Sequence, residues 1–153
     1  MIKYVQPISV DDKFKLMEFV FKNTDSFILN TFGFVWESRH WWDKQPIMIY
    51  TDKDNNILGL HAFSINTRKP DTIKTYYIVV DKALRGKGIA KKLTVQSLQD
   101  NKTFASNYFV NSEENSDGVK FYNKLFYNKY TTHKNEFGTL DYYYEAPIAD
   151  ILK

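Results

Sequence analysis

The chain contains no cysteine. That one absence removes disulfides, thiolate metal sites and thiol nucleophiles together. Three histidines are present, His40, His61 and His133, and they stand too far apart for metal-ligand spacing, so the composition argues against a metalloenzyme. No window approaches the ~18 uninterrupted apolar residues of a membrane span, and the opening MIKYVQPISVDDK lacks the apolar core of a secretion signal. A soluble cytoplasmic protein with no membrane partner is expected. Charge of one sign is also scarce, because the net charge of +3 falls well short of a dedicated nucleic-acid binder. With only 6 glycines and 4 prolines there is no linker-like stretch, and no repeat or low-complexity tract interrupts the chain.

Apolar residues, by contrast, make up 43% of the 153 positions and aromatics 17%, enough to bury a core without staples. One domain spanning residues 1–153 is expected. Oligomeric state is not written in such a composition, although a homodimer is compatible with it.

Residues 2–5 read as a short first strand. Ser9 then stands as an N-cap with Asp12 three residues on, a capping-box spacing. The helix that follows carries Phe14, Met17, Val20 and Phe21 at helical spacing to about Lys22, and a second short helix is expected from Ser26. After an irregular stretch, IMIYTDKDNNILGLHAFSIN reads as two β-rich runs joined across Asp52 to Asn56. A further turn leads to IKTYYIVV, and short connections make these three strands antiparallel. A basic turn follows, then a helix with Ile89, Leu93 and Leu98 on its inward stripe. The strand YFVN and a helix from Ser116 to Leu125 come next, and the intervening helix makes YFVN parallel to IKTYYIVV. Two closing strands, near Tyr127 to Thr132 and Thr139 to Tyr144, complete the order. The expectation is a mixed α/β fold: a mostly antiparallel twisted sheet of about seven strands, with a parallel splayed pair in the middle and helices on both faces.

The segment VDKALRGKGIAKKL places Lys82, Arg85, Lys87, Lys91 and Lys92 around Gly86 and Gly88, directly after an apolar strand. A glycine-bearing turn into a helix is a natural anion seat. Helix N-termini leave N–H groups unpaired and carry the positive end of the macrodipole, and glycine lets phosphate oxygens approach the backbone. Two nucleotide motifs fail here. Lys91 stands where the third glycine of Gly-x-Gly-x-x-Gly belongs, and Gly-x-x-x-x-Gly-Lys-Ser/Thr has no match.

What does match is Arg85-Gly86-Lys87-Gly88-Ile89-Ala90, which fits Arg/Gln-x-x-Gly-x-Gly/Ala, and the segment resembles the acyl-CoA pyrophosphate loop of the GNAT superfamily of N-acyltransferases. Downstream, NSDGVKFYNKLFY is similar to that family's Asn-x-x-Ala-x-x-x-Tyr-x-Lys-x-Gly-Phe, aligned at Asn115, Gly118, Tyr122 and Lys124. The element order resembles the GNAT fold from Ile47 onward. In two places the pattern is not kept: Gly118 replaces the family's alanine, and Phe126-Tyr127 replaces its Gly-Phe, which removes the residue favoured at a tight helix stop.

The resemblance implies acetyl-CoA as acyl donor and a primary amine as acceptor, in a small molecule or a protein. It implies that the backbone of Ile78, Val79 and Val80 holds the pantetheine arm in a cleft beside YFVN, with an N–H near Val79 polarising the thioester carbonyl. The N–H groups of Arg85, Gly86, Lys87, Gly88, Ile89 and Ala90 would hold the pyrophosphate, and Asn115 would contact the cofactor arm. Tyr122 would be the general acid that protonates the leaving sulfur. Many family members carry a glutamate near the start of the pantetheine strand, whereas here that strand reads Lys74, Thr75, Tyr76, Tyr77. Glu37, His61 and Asp81 are then the candidate bases, His61 because its ordinary pKa of ~6.5 suits proton removal at neutral pH.

The stretch WESRHWW holds all three tryptophans beside Arg39 and His40. Trp36, Glu37 and Trp41 are the candidate acceptor-binding residues, since flat aromatics near a cation can stack on a base or cage an ammonium group. A different reading is a GNAT-like protein that modifies or binds nucleic acid without ordinary acetyl transfer, for which affinity would fall steeply with salt.

Overall fold

The computed structural model describes residues 1–5, 9–24, 47–65, 69, 71–114 and 116–153. In chain order these form β1 (Ile2–Val5), α1 (Val10–Asn23), β2 (Ile47–Thr51), β3 (Ile57–Ile65), β4 (Thr72–Val80), a 3-10 turn (Lys82–Leu84) and α2 (Ile89–Asn101). β5 (Asn107–Glu113), α3 (Asp117–Leu125), β6 (Thr131–Lys134), β7 (Leu140–Pro147) and the single turn α4 (Ile148–Ile151) follow. The strands form one seven-stranded sheet in the order β1-β2-β3-β4-β5-β7-β6, mixed as expected, with the parallel pair at β4 and β5. By compactness the chain falls into two units, residues 1–63 with 76–97, and residues 64–75 with 98–153.

In the first unit, Ser9 caps α1 by accepting the Asp12 N–H at 3.1 Å. Side chains also close the helix's far end: Asn23 Nδ2 donates to Phe19 O at 2.8 Å and Thr24 Oγ1 to Val20 O at 2.7 Å. The inward face is Leu16, Phe19 and Val20, with Met17 at its edge. Phe14 and Phe21, expected on that face, are exposed instead. Leu16, Phe19, Val20 and Asn23 recur at i, i+3, i+4 and i+7, so a second apolar stripe fits the helical period equally well, and packing selects it. Against it lie Ile47 and Ile49 of β2, Leu60 and Ala62 of β3, and Tyr77 and Val79 of β4. β2 pairs antiparallel with β1 and β3, and the register against β3 shifts between Tyr50 and Thr51. The Asp52 carboxylate holds the intervening turn by accepting the N–H groups of Asp54 and Asn56, both at 2.9 Å.

In the second unit, β4 and β5 run parallel over three residue pairs, Thr72–Asn107, Ile73–Tyr108 and Lys74–Phe109. The helical crossover α2 makes that direction attainable, and its inward residues are the expected Ile89, Leu93 and Leu98. β7 lies between β5 and β6 and pairs antiparallel with both. Tyr108, Tyr122, Phe126 and Tyr144 form an aromatic core, with Tyr108 stacked on Phe126 at 5.5 Å and Phe126 against Tyr144 at 5.3 Å. Tyr144 also ties β7 to α3 by donating to Asn123 Oδ1 at 2.7 Å.

One strand boundary differs from expectation. β6 begins at Thr131 rather than Tyr127, because Tyr127 and Asn128 are left-handed, with φ of 54° and 59°. They terminate α3: the Asn128 N–H reaches Asn123 O at 2.8 Å and the Tyr127 N–H reaches Lys124 O at 3.3 Å. This pair of bonds is a Schellman stop, made here without glycine.

Candidate active site

The basic loop lies wholly in the first unit. Asp81 closes the end of β4: its N–H donates to Leu58 O at 2.9 Å, and its carboxylate accepts the Ala83 N–H at 2.9 Å to cap the 3-10 turn. Gly86 and Gly88 follow, with φ of 83° and 85°, a region that side-chain-bearing residues rarely adopt. A Cβ built at either glycine meets no atom of the described residues within 4 Å. Among the described residues, space therefore lies beside the backbone where an anion is expected. α2 then begins with the bond from Lys92 N–H to Gly88 O at 3.0 Å, so by helix geometry the N–H groups of its first turn have no partner along the helix. No acidic residue lies in that turn, and Lys87, Lys91 and Lys92 are exposed around it. Positive helix end, lysines and left-handed glycines together fit a pyrophosphate.

Arg85 plays a part that the motif alone does not show. Its guanidinium donates from Nη2 to Asn23 O and from Nε to Val80 O, the latter at 3.3 Å. Asn23, itself buried, accepts the Lys82 N–H on its Oδ1 at 3.0 Å. The side chain of Arg85 is thus a brace between the loop and the end of α1. On β4, Val79 and Val80 are buried and Ile78 is half-buried, so this stretch offers an anion or amide its backbone rather than its side chains.

His61 is fully enclosed on β3, 4.9 Å from the Phe63 ring. Burial pushes its pKa down to about 3, only partly opposed by a hydrogen bond to the Leu93 backbone. So weak a base, sealed from solvent, belongs to the core, and the placement argues against the catalytic role expected for it. Asp81 is committed to its cap.

Tyr122 lies in the second unit, on the buried side of α3. Ser116 caps that helix by accepting the Val119 N–H at 3.4 Å. The ring packs 5.6 Å from Tyr144 and 6.4 Å from Phe126. Burial, with a hydrogen bond to Tyr108 as a further cause, holds its hydroxyl well above the ordinary tyrosine range. It keeps its proton at neutral pH, the state a general acid requires. Gly118, one turn earlier, has a reason of its own: a Cβ there would stand 2.6 Å from Ser112 Oγ on β5.

Asn115, Trp36, Glu37 and Trp41 lie outside the described residues, as does the helix expected from Ser26. Sequence reading missed Asn23, Thr75 and Tyr108, whose contacts join positions too far apart for any local pattern.

The fold is that of an acyltransferase. The chain belongs to the GNAT acetyltransferase family, whose model matches residues 18–126. Among solved structures it is similar to a protein from Desulfovibrio desulfuricans assigned to the same family, with a TM-score of 0.73, 13% identity and coverage of 97% of this chain and 99% of that one. It is also similar to the ribosomal-protein-S18-alanine N-acetyltransferase of Escherichia coli, with a TM-score of 0.66, 11% identity and coverage of 97% and 94%. A third likeness is to the PaiA N-acetyltransferase of Thermoplasma acidophilum, solved with coenzyme A, with a TM-score of 0.64, 13% identity and coverage of 95% and 99%. At such identities the likeness is one of fold and names no acceptor. A comparison with curated protein sequences finds no match. No helix among the described residues is long and apolar enough to cross a membrane.

Proposed function

We propose that this acyltransferase moves an acetyl group from acetyl-CoA to a primary amine of a small molecule or a protein, and that the whole chain works as one module. The observation that carries the reading is the pair of left-handed glycines, open to space, immediately before a helix start ringed by lysines. The thioester supplies an activated acyl group. Backbone groups of Ile78, Val79 and Val80 hold and orient the pantetheine arm, and those from Arg85 to Ala90 hold the pyrophosphate, with Asn115 on the arm. Tyr122 gives its proton to the sulfur as the C–S bond breaks. With His61 neutral in the core and Asp81 capping a turn, Glu37 remains the candidate base, beside Trp36 and Trp41 on the acceptor side.

The test is calorimetric titration of acetyl-CoA into the protein and into a Gly86→Val, Gly88→Val variant, paired with CoA release on an amine panel. A β-branched residue at positive φ is strained and fills the open space, so affinity is expected to fall at least ~10-fold in the variant. Absence of binding to the unmodified protein, or equal binding by both, would sink the donor-site assignment. Salt-dependent DNA affinity without CoA release would replace it with the nucleic-acid reading.

A further inference from the structure

Asn23, the last residue of α1, is polar and only 7% exposed. Its side-chain amide has two partners: Nδ2 donates to Phe19 O at 2.8 Å, and Oδ1 accepts the Lys82 N–H at 3.0 Å. One partner can only accept and the other only donate, so chemistry sets which way the amide points. The backbone O of Asn23 takes a third bond, from Arg85 Nη2. That oxygen is one of the carbonyls a helix end leaves unpaired, at the negative end of the macrodipole, where a cation is favoured. A single residue of α1 therefore grips the loop after β4 at both Lys82 and Arg85.

Closing α1 does not account for this arrangement. Thr24 Oγ1 already donates to Val20 O at 2.7 Å, and asparagine is a weak helix former. The Oδ1 bond serves the loop instead. Two of the loop's own bonds, from the Ala83 N–H to the Asp81 carboxylate and from the Leu84 N–H to Asp81 O, both at 2.9 Å, are local to its first turn. Beyond them come Gly86 and Gly88, with φ of 83° and 85°, and glycine loses more freedom on ordering than any other residue. N–H groups meant to converge on an anion bind it weakly if binding has to order them first.

We propose that Asn23 is a positioning residue for the acyl donor: it accepts the Lys82 N–H on its side chain and the Arg85 guanidinium on its backbone, and so sets the N–H groups from Arg85 to Ala90 in place before the pyrophosphate arrives. This rests on the reading of that loop as the pyrophosphate seat. The gain is preorganisation, and it acts on donor binding rather than on the chemical step.

The test deletes the contact from each side. Asn23→Leu removes the side-chain acceptor, and Lys82→Pro removes the N–H it receives while leaving Asn23 intact. Proline suits that position, since Lys82 opens the 3-10 turn and Asp81 before it is extended, with ψ of 127°. Lys82→Ala keeps the N–H and reports loss of the lysine charge alone. Calorimetric titration with acetyl-CoA is read beside urea unfolding of the same proteins. A lost hydrogen bond that orders the loop sets the scale: Asn23→Leu is expected to weaken acetyl-CoA binding roughly 5- to 30-fold, and Lys82→Pro to bind that much more weakly than Lys82→Ala. The double variant binds no more weakly than the weaker of Asn23→Leu and Lys82→Pro, because both remove one contact. In CoA release on the amine panel the change appears in the KM for acetyl-CoA, with kcat within about twofold. No binding to the unmodified protein, or binding indifferent to Gly86→Val with Gly88→Val, removes the donor-site reading itself. Binding that those glycine substitutions impair and Asn23→Leu does not leaves that reading standing and overturns the present inference. A lowered urea midpoint in Asn23→Leu with full donor affinity overturns it too, since Asn23 would then be a helix cap only. Should Asn23→Leu fail to fold, the Lys82 pair decides alone, and equal affinities of Lys82→Pro and Lys82→Ala overturn the inference.

Discussion

Gly118→Ala puts two opposing terms against each other at one atom. In the first turn of α3, alanine gains up to ~1 kcal/mol over glycine in helix propensity. Against that, the new methyl group would lie 2.6 Å from Ser112 Oγ. Ser112 Oγ is itself hydrogen-bonded to Ser116 Oγ at 2.9 Å, and Ser116 is the α3 N-cap. Relief requires either that Ser112 turn away, losing about 1 kcal/mol of hydrogen bonding, or that α3 lift off β5 at the ~1–3 kcal/mol typical of overpacking. The clash should win, giving a net loss of ~1–2 kcal/mol. Removing the offending oxygen reverses the sign. Without it, the nearest atoms to the new Cβ are Ser116 Oγ at 3.5 Å and Tyr122 Cε2 at 3.6 Å, ordinary contacts. In a Ser112→Ala background, Gly118→Ala should therefore stabilise by ~0.5–1 kcal/mol. Urea unfolding of the four proteins in the cycle reads a coupling of about 2 kcal/mol. A coupling below ~0.5 kcal/mol, or a stabilising Gly118→Ala in the unmodified chain, would refute the steric account.

Tyr127→Gly should raise stability by ~0.5–1 kcal/mol, because it relieves a left-handed side-chain-bearing residue at a helix stop, and Tyr127 is exposed enough that little packing is lost; an unchanged or lowered urea midpoint would contradict this. His61 gives a pH signature. Its folded pKa, near 3, lies below the ordinary 6.5, so the unfolded chain binds the extra proton, and stability present above pH 6.5 is lost as pH falls toward 3. Between pH 7 and 5 the loss from this residue is about 2 kcal/mol, so the fall in unfolding free energy over that range should be smaller by that amount in His61→Leu. Equal falls in both proteins would mean that the ring is not held neutral.

The strands and their directions were legible because their residues state them locally. β2, β3 and β4 are short β-rich runs separated by turn residues too few for a crossover, and α2 supplies the crossover that makes β5 parallel to β4. The inward face of α1 was not legible: Phe14 with Phe21 and Leu16 with Phe19 both satisfy the helical period, and only the tertiary core decides between them. The start of β6 was obscured in the same way, since Tyr127 and Tyr130 have strand-like chemistry but Tyr127 is taken first by the left-handed end of α3. Within the candidate site, the left-handed turn at Gly86 and Gly88 was readable because positive φ leaves a mark in the sequence, namely glycine. Asn23 leaves none. Its bond to the Lys82 N–H spans 59 positions, and the Thr75–Tyr108 bond spans 33, so neither has a spacing that could announce it.

The departures from the family pattern are not independent of the structure around them. Gly118 replaces alanine where Ser112 projects its hydroxyl into the space a methyl group would need, so the unusual glycine and the serine on β5 form one compensated pair. Phe126-Tyr127 replaces Gly-Phe, yet the Schellman bonds form all the same, with Phe126 buried against Tyr108 and Tyr144. Phe126 itself has a φ of −102°, so the position of the family's glycine needs no left-handed backbone here and carries an aromatic ring of the core beside Tyr122. The third departure, a strand without a carboxylate, brings Thr75 to the end of the parallel ladder and into contact with Tyr108. A carboxylate at that point would bring a charge into a site only 1% exposed, where the Thr75 hydroxyl is already hydrogen-bonded to Tyr108 at 2.7 Å. Burying a charge there is costly, so Thr75→Asp should lower the urea midpoint. An unchanged urea midpoint in Thr75→Asp would show that the position accommodates a charge after all.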